Sequence, residues 1–174
     1  MIIGKYNYRH NVIKSRDFYN GQIINGQALN TVSEMRYGLC HMSFNGCEVI
    51  SVYNALAYLK KTVPLCDIAF YMEKFKVLFG IFGCNVFKIG KALKHYGINY
   101  VRSKEIGSAE IFIVSFWTGK RLLSSIHTVF CTRGADGINI YNKYNSCPDV
   151  RTCKENSEIA SPEKIIAVYI IKGD

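Results

Sequence analysis

The sequence predicts an α+β domain, with helices gathered in its first hundred residues and an antiparallel sheet in the rest. Three observations predict it. Apolar residues recur at helical spacing between residues 47 and 96. After residue 98 the pattern changes to short runs rich in Ile, Val, Tyr and Phe, as strands require. Two of those runs are separated by "RGADG", a hairpin turn signal in which Asp-Gly tolerates positive φ. Helices first and strands afterwards pack most simply as a sheet against helices.

The first forty residues are rich in Asn, Gly, Tyr and Arg and hold only short apolar pieces such as "QIING". They read as loops that wrap the core, with one short strand. A helix is predicted over residues 47–60, where Val49, Ile50, Val52, Tyr53, Leu56 and Leu59 cover more than one stripe and bury most of its circumference. Pro64 suits the first turn of a second helix over 65–78, and "GIFGC" breaks the chain. A third helix runs over 86–96, with Val86, Ile89, Gly90 and Leu93 at helical spacing and Gly97 as its C-terminal cap. "INYVRS", "AEIFIVSFW", "HTVFCTR", "GINIYNKY" and "KIIAVYIIK" are the predicted strands.

No repeat, linker or low-complexity tract divides the 174 residues, so residues 1–174 read as a single domain large enough for a sizeable core. No apolar run is long enough to span a membrane, and "MIIGKYNYRHN" lacks the apolar region and cleavage site of a signal peptide. The expected location is the cytoplasm, or delivery as a domain of a larger secreted protein. The seven cysteines are odd in number and irregularly spaced, with no C-x-x-C pair, so free thiols are expected rather than a disulfide framework or a zinc site. Cys40, His41 and Cys47 are too weak a set to name as metal ligands.

The net charge is +9. Between Glu73 and Glu105 stand seven Lys or Arg and no further acid, which suits an acidic partner. Their scatter, as in "KIGKALKHYG", fits solvated helix faces better than a nucleic-acid surface. Phosphate-binding glycine loops, H-E-x-x-H and G-x-S-x-G are all missing, although Ser124 and Ser125 stand near His127. The dispersed carboxylates offer no glycosidase pair.

Three residues do suggest chemistry. Cys47 follows Gly46 at the start of the central helix, where unpaired N–H groups and the helix dipole stabilise a thiolate. Gly46 lets the chain turn sharply and a substrate backbone approach. Glu48 suits a helix N-terminus but its charge would raise the thiol pKa. Taken alone, Cys47 reads as a packed core thiol. His127, however, opens a strand, and Asn142 ends the strand paired with it across the "GADG" hairpin. That pairing brings the two together, so that the Asn carbonyl group can orient the imidazole and leave its other nitrogen for the thiol.

The pieces "NGCEVISVYNAL", "AEIFIVSFW" and "IHTVFCTRGADGINIYNKYN" resemble the papain-like cysteine peptidases, and among them the compact bacterial members similar to bacteriocin-processing peptidases. The resemblance covers residues 40–144. It implies a central helix carrying the nucleophile, packed on a C-terminal antiparallel sheet, and a Cys47–His127–Asn142 triad that cleaves peptide or amide bonds without metal or cofactor. One departure stands out. The family places a Gln some six residues before the nucleophile as an oxyanion donor, and position 41 here is His. His41, Ser43 and Asn45 are the candidates to replace it, together with the Cys47 N–H. The resemblance implies a peptide or protein substrate and, if the chain is a toxin or effector domain, an acidic inhibitor or immunity-like partner. The alternatives are such an effector with deamidase, acyltransferase or nucleic-acid-directed activity, or a catalytically silent basic binding module.

Overall fold

A computed structural model describes residues 2–15, 21–119 and 125–172. The chain runs through α1 (Ile2–Lys14), α2 (Asn30–Glu34), β1 (Arg36–Tyr37), β2 (Cys40–His41), α3 (Met42–Asn45), α4 (Cys47–Tyr58), α5 (Leu65–Met72) and α6 (Ile89–His95). The sheet strands follow: β3 (Tyr100–Ser103), β4 (Ile111–Trp117), β5 (Ile126–Gly134), β6 (Gly137–Tyr141), β7 (Arg151–Cys153) and β8 (Ile165–Ile171). The fold is α+β. Its six-stranded sheet has the order β3-β8-β4-β5-β6-β7, with every neighbouring pair antiparallel.

Helix α4 is the centre of the molecule. Every residue from Cys47 to Ala57 is buried, as its near-continuous apolar circumference predicts. One side packs on β5, where the Tyr58 and Phe130 rings lie 5.7 Å apart. Another packs on α5 and α6. Ile50, Leu56 and Ile68 are among the fully buried side chains of this layer, and truncating one to Ala costs about 2–5 kcal/mol. The second core cluster lies on the other side of the sheet and includes Phe112, Val114, Val129 and Ile138. Alternate residues of β4 thus enter different clusters, as Ile113 joins the helical side and Val114 the other.

Several boundaries differ from the sequence reading. Residues 2–14 form a helix rather than a loop. Its buried residues are Gly4, Asn7 and Asn11, so no apolar stripe marks it. Asn7 Nδ2 donates to Gly38 O (2.8 Å) and Glu73 Oε1 (2.6 Å), and Asn11 pairs with both backbone groups of Arg36. Side-chain amides spaced one turn apart therefore dock α1 on the β1–β2 hairpin.

"QIING" is not a strand. Asn54 of α4 takes the place of a partner strand, accepting from Ile24 N (2.8 Å) and donating to Ile24 O (2.9 Å). Helix α5 ends at Met72 instead of continuing to residue 78, and single 3-10 turns follow at Glu73–Phe75 and Leu78–Gly80. The third predicted helix begins as a 3-10 turn, Val86–Lys88, before α6, and Gly97 caps it at φ +70°. The β5–β6 hairpin closes where predicted, with Ala135 and Asp136 between Gly134 and Gly137. Strand β7, only three residues long, was not expected.

The loop at 78–83 is fixed unusually tightly. Leu78 and Phe79 hold positive φ values of 44° and 59°, a costly region for side-chain-bearing residues. Gly38 and Gly80 make close backbone contact: a Cβ on Gly38 would lie 2.2 Å from Phe79 O. Leu39 N donates to that same carbonyl at 2.9 Å. Only a residue without a side chain fits at Gly38, which also has φ +59°.

Candidate active site

The site forms where the N-terminus of α4 meets β5, the end of β6 and the loop at 78–83. Cys47 is the first residue of α4 and is 5% exposed. Gly46 before it joins α3 to α4 with φ −87° and ψ 0°, a conformation open to any residue. It is required because a Cβ would lie 2.6 Å from Met42 O, where α3 and α4 join. One turn beyond Cys47, Ser51 Oγ donates to Thr128 O at 3.1 Å. Thr128 adjoins His127, so this bond sets the register of the cysteine helix against the histidine strand. The Thr128 hydroxyl is itself held by Ser115 Oγ at 2.9 Å in a fully buried pair.

Cys47 and His127 line one cavity of about 720 Å³. Among the described residues no hydrogen bond joins them. His127 stands opposite Phe116 on β4, and the two rings meet edge to face at 6.0 Å. Its Nε2 lies 2.7 Å from the backbone carbonyl of Asn142. A carbonyl only accepts, so Nε2 carries the proton and Nδ1 keeps the lone pair. The expected His–Asn juxtaposition is therefore present, but the orienting group is the Asn142 main chain.

The Asn142 side chain points elsewhere. Its Oδ1 accepts from Gln27 N and its Nδ2 donates to Gln27 Oε1, both at 3.0 Å. Asn25 Oδ1 accepts from Asn142 N at 3.0 Å. Asn142 holds φ +60°, a left-handed conformation that Asn tolerates better than most residues. These bonds tie the extended segment before α2 to the end of β6.

Gln27 is the residue that linear spacing missed. It lies twenty positions ahead of Cys47, is 2% exposed and lines the same cavity. Its Nε2 donates to Ser43 O at 3.0 Å. Ser43 O is the carbonyl that a continuous helix would pair with the Cys47 N–H. Nothing in the chain marks Gln27 in advance, because its partner is 115 residues away.

The three sequence candidates for an oxyanion donor are placed differently. His41 is exposed on β2 and Ser43 contributes a carbonyl to Gln27; neither lines the cavity. Asn45 does line it, but its Nδ2 is committed to Tyr37 O (2.8 Å) and Gly80 O (2.5 Å). Its Oδ1 is buried, has no hydrogen-bond partner among the described residues, and can only accept. Asn45 is an anchor of the 78–83 loop rather than an available donor. Ser125 lines the cavity, whereas Ser124 lies outside the described residues.

Electrostatics favour a neutral resting pair. Burial, followed by the charge of Glu48, pushes the Cys47 thiol well above its usual range. Burial lowers the His127 pKa, against the opposing effect of its bond to Asn142. Glu48 is 2% exposed, with Oε2 3.4 Å from Cys84 N, and burial raises its carboxyl to about 7. All seven cysteines carry free thiols. Among the described residues no group of three or more His, Cys, Asp or Glu is placed to hold a metal, and no helix is long and apolar enough to cross a membrane.

No family model, curated protein or solved structure matches this chain.

Proposed function

We propose that the chain is a thiol hydrolase acting on peptide or amide bonds, a cysteine peptidase with a papain-like arrangement of helix and sheet. One observation carries the reading. Cys47 opens a buried helix at a cavity that also holds His127, whose Nε2 proton is committed to the Asn142 carbonyl. That commitment leaves Nδ1 as the basic nitrogen.

The chemistry starts from the neutral pair. His127 Nδ1 takes the Cys47 proton as Sγ attacks the substrate carbonyl carbon. Thiol–imidazole bonds that are open in a free enzyme tighten when substrate is bound. Negative charge gathers on the carbonyl oxygen, near the Cys47 N–H, the positive end of α4 and the second amide hydrogen of Gln27. His127 then passes its proton to the leaving nitrogen as the C–N bond breaks. The acyl group remains on Sγ as a thioester. Water, deprotonated by His127, attacks it, releasing the acid and restoring the thiol.

The test is turnover of a mixed peptide library followed by mass spectrometry. Wild-type protein should generate new peptide termini at defined bonds, and Cys47→Ala and His127→Ala should generate none while keeping wild-type circular dichroism. A library left uncut by wild type, or cut equally by both variants, overturns the proposal.

A further inference from the structure

The cavity's walls bear on what enters it. Its lining includes Phe44 of α3, Ile81 and Phe82 of the tight loop, and Trp117 and Tyr144. Phe44, Ile81 and Phe82 are 69%, 47% and 67% exposed. Side chains of this size are rarely left in water together, and clustered exposure beside a cavity marks a binding surface. The loop is not free to fold them inward. Phe79 O is held by Leu39 N, Gly80 O by Asn45 Nδ2, and Gly83 O by Val77 N at 3.0 Å. The apolar wall is therefore built in advance, at the expense of two left-handed residues.

Among the described residues, Glu48 and Lys143 are the charged side chains that line the cavity. Lys143 Nζ donates to Ile159 O at 2.7 Å and stands 5.0 Å from the Phe116 ring. The Glu48 carboxyl is buried against Cys84 N. Lys143 keeps two further N–H donors, whereas among the described residues no carboxylate but the buried Glu48 lines the cavity to meet a basic side chain.

We infer that the site selects a peptide segment with large apolar side chains, aromatic or branched aliphatic, beside the bond attacked by Cys47, and that Ile81 and Phe82 are the specificity-determining wall. This inference rests on the thiol-hydrolase reading. A small residue at that position leaves the wall uncovered, and a charged one must lose its water against apolar side chains.

The experiment uses peptide vinyl sulfones that differ only in the residue next to the electrophile: Phe, Leu, Gly, Asp or Lys. Each second-order labelling rate at Cys47 is divided by the same protein's iodoacetamide rate at Cys47. The expected result is a preference of about tenfold or more for Phe and Leu over Gly, Asp and Lys. In Ile81→Ser/Phe82→Ser that preference should shrink to about threefold or less, and Phe82→Leu should retain most of it. A flat profile, a preference for Gly or a charged residue, or an unchanged preference in the double variant overturns the inference while leaving the hydrolase reading intact. Failure of every reagent to single out Cys47 overturns both.

Discussion

His127 Nε2 bonds to the main-chain carbonyl of Asn142 at 2.7 Å, while the Asn142 side chain is taken up by Gln27. Orientation of the imidazole is thus a property of the backbone at the end of β6. Asn142→Gly preserves both that carbonyl and the φ of +60°. Its hydrolysis rate should fall about tenfold or less, through a looser Gln27. Asn142→Ala must strain the left-handed backbone as well, at roughly 1–2 kcal/mol of stability, and should lose more. Steady-state kinetics with urea unfolding checks this. A loss in Asn142→Gly as severe as in His127→Ala would mean that the side chain is the orienting group after all.

Gln27 is predicted to act on the rate-limiting charge rather than on substrate binding. Gln27→Ala removes the amide donor and should lower kcat about 10²–10³-fold, with KM little changed. Gln27→Glu keeps the size and the acceptor for Asn142 Nδ2 but lacks the donor, so it should be equally slow. A Glu variant with near-normal kcat would reduce Gln27 to a structural tie between the early loop and Asn142.

Glu48 gives the protein a pH-dependent stability. Its carboxyl sits near 7 when folded, against an ordinary 4.5. The folded state therefore holds this proton more tightly than the unfolded state. Stability from the group is full below about pH 4.5, declines as pH rises to about 7, and is flat beyond. The span is on the order of 3 kcal/mol. Glu48→Gln should therefore gain stability on wild type between pH 5 and about 7, and the gain should level off by pH 8, in urea unfolding. It should also speed alkylation of Cys47 at pH 8, since the ionised Glu48 raises the thiol pKa. A stability gap constant across that range would contradict the assignment.

Much of the frame is legible in the sequence because it depends on period and local turn chemistry. The apolar run of α4, the strand runs and the Gly134–Gly137 hairpin all declare themselves. His127 and Asn142 come together because a hairpin makes near neighbours of residues fifteen apart. The rest depends on polar contacts between distant segments. Helix α1 buries asparagines, so periodicity cannot find it. The 22–26 segment looks like a strand but pairs with the side chain of Asn54. Asn45 sits near enough to Cys47 to suggest an oxyanion donor, yet its amide is consumed by Tyr37 and Gly80. Gln27 has no local signal whatever, since both its neighbours in space come from elsewhere in the chain.

The most direct measurement is active-site titration with a peptide-based electrophile, read residue by residue across all seven cysteines by mass spectrometry, in wild type and in His127→Ala. The account predicts one equivalent of label, on Cys47, at a rate that drops about a hundredfold or more when His127 is removed. Label spread over several cysteines, or Cys47 modified at the same rate without His127, would contradict it.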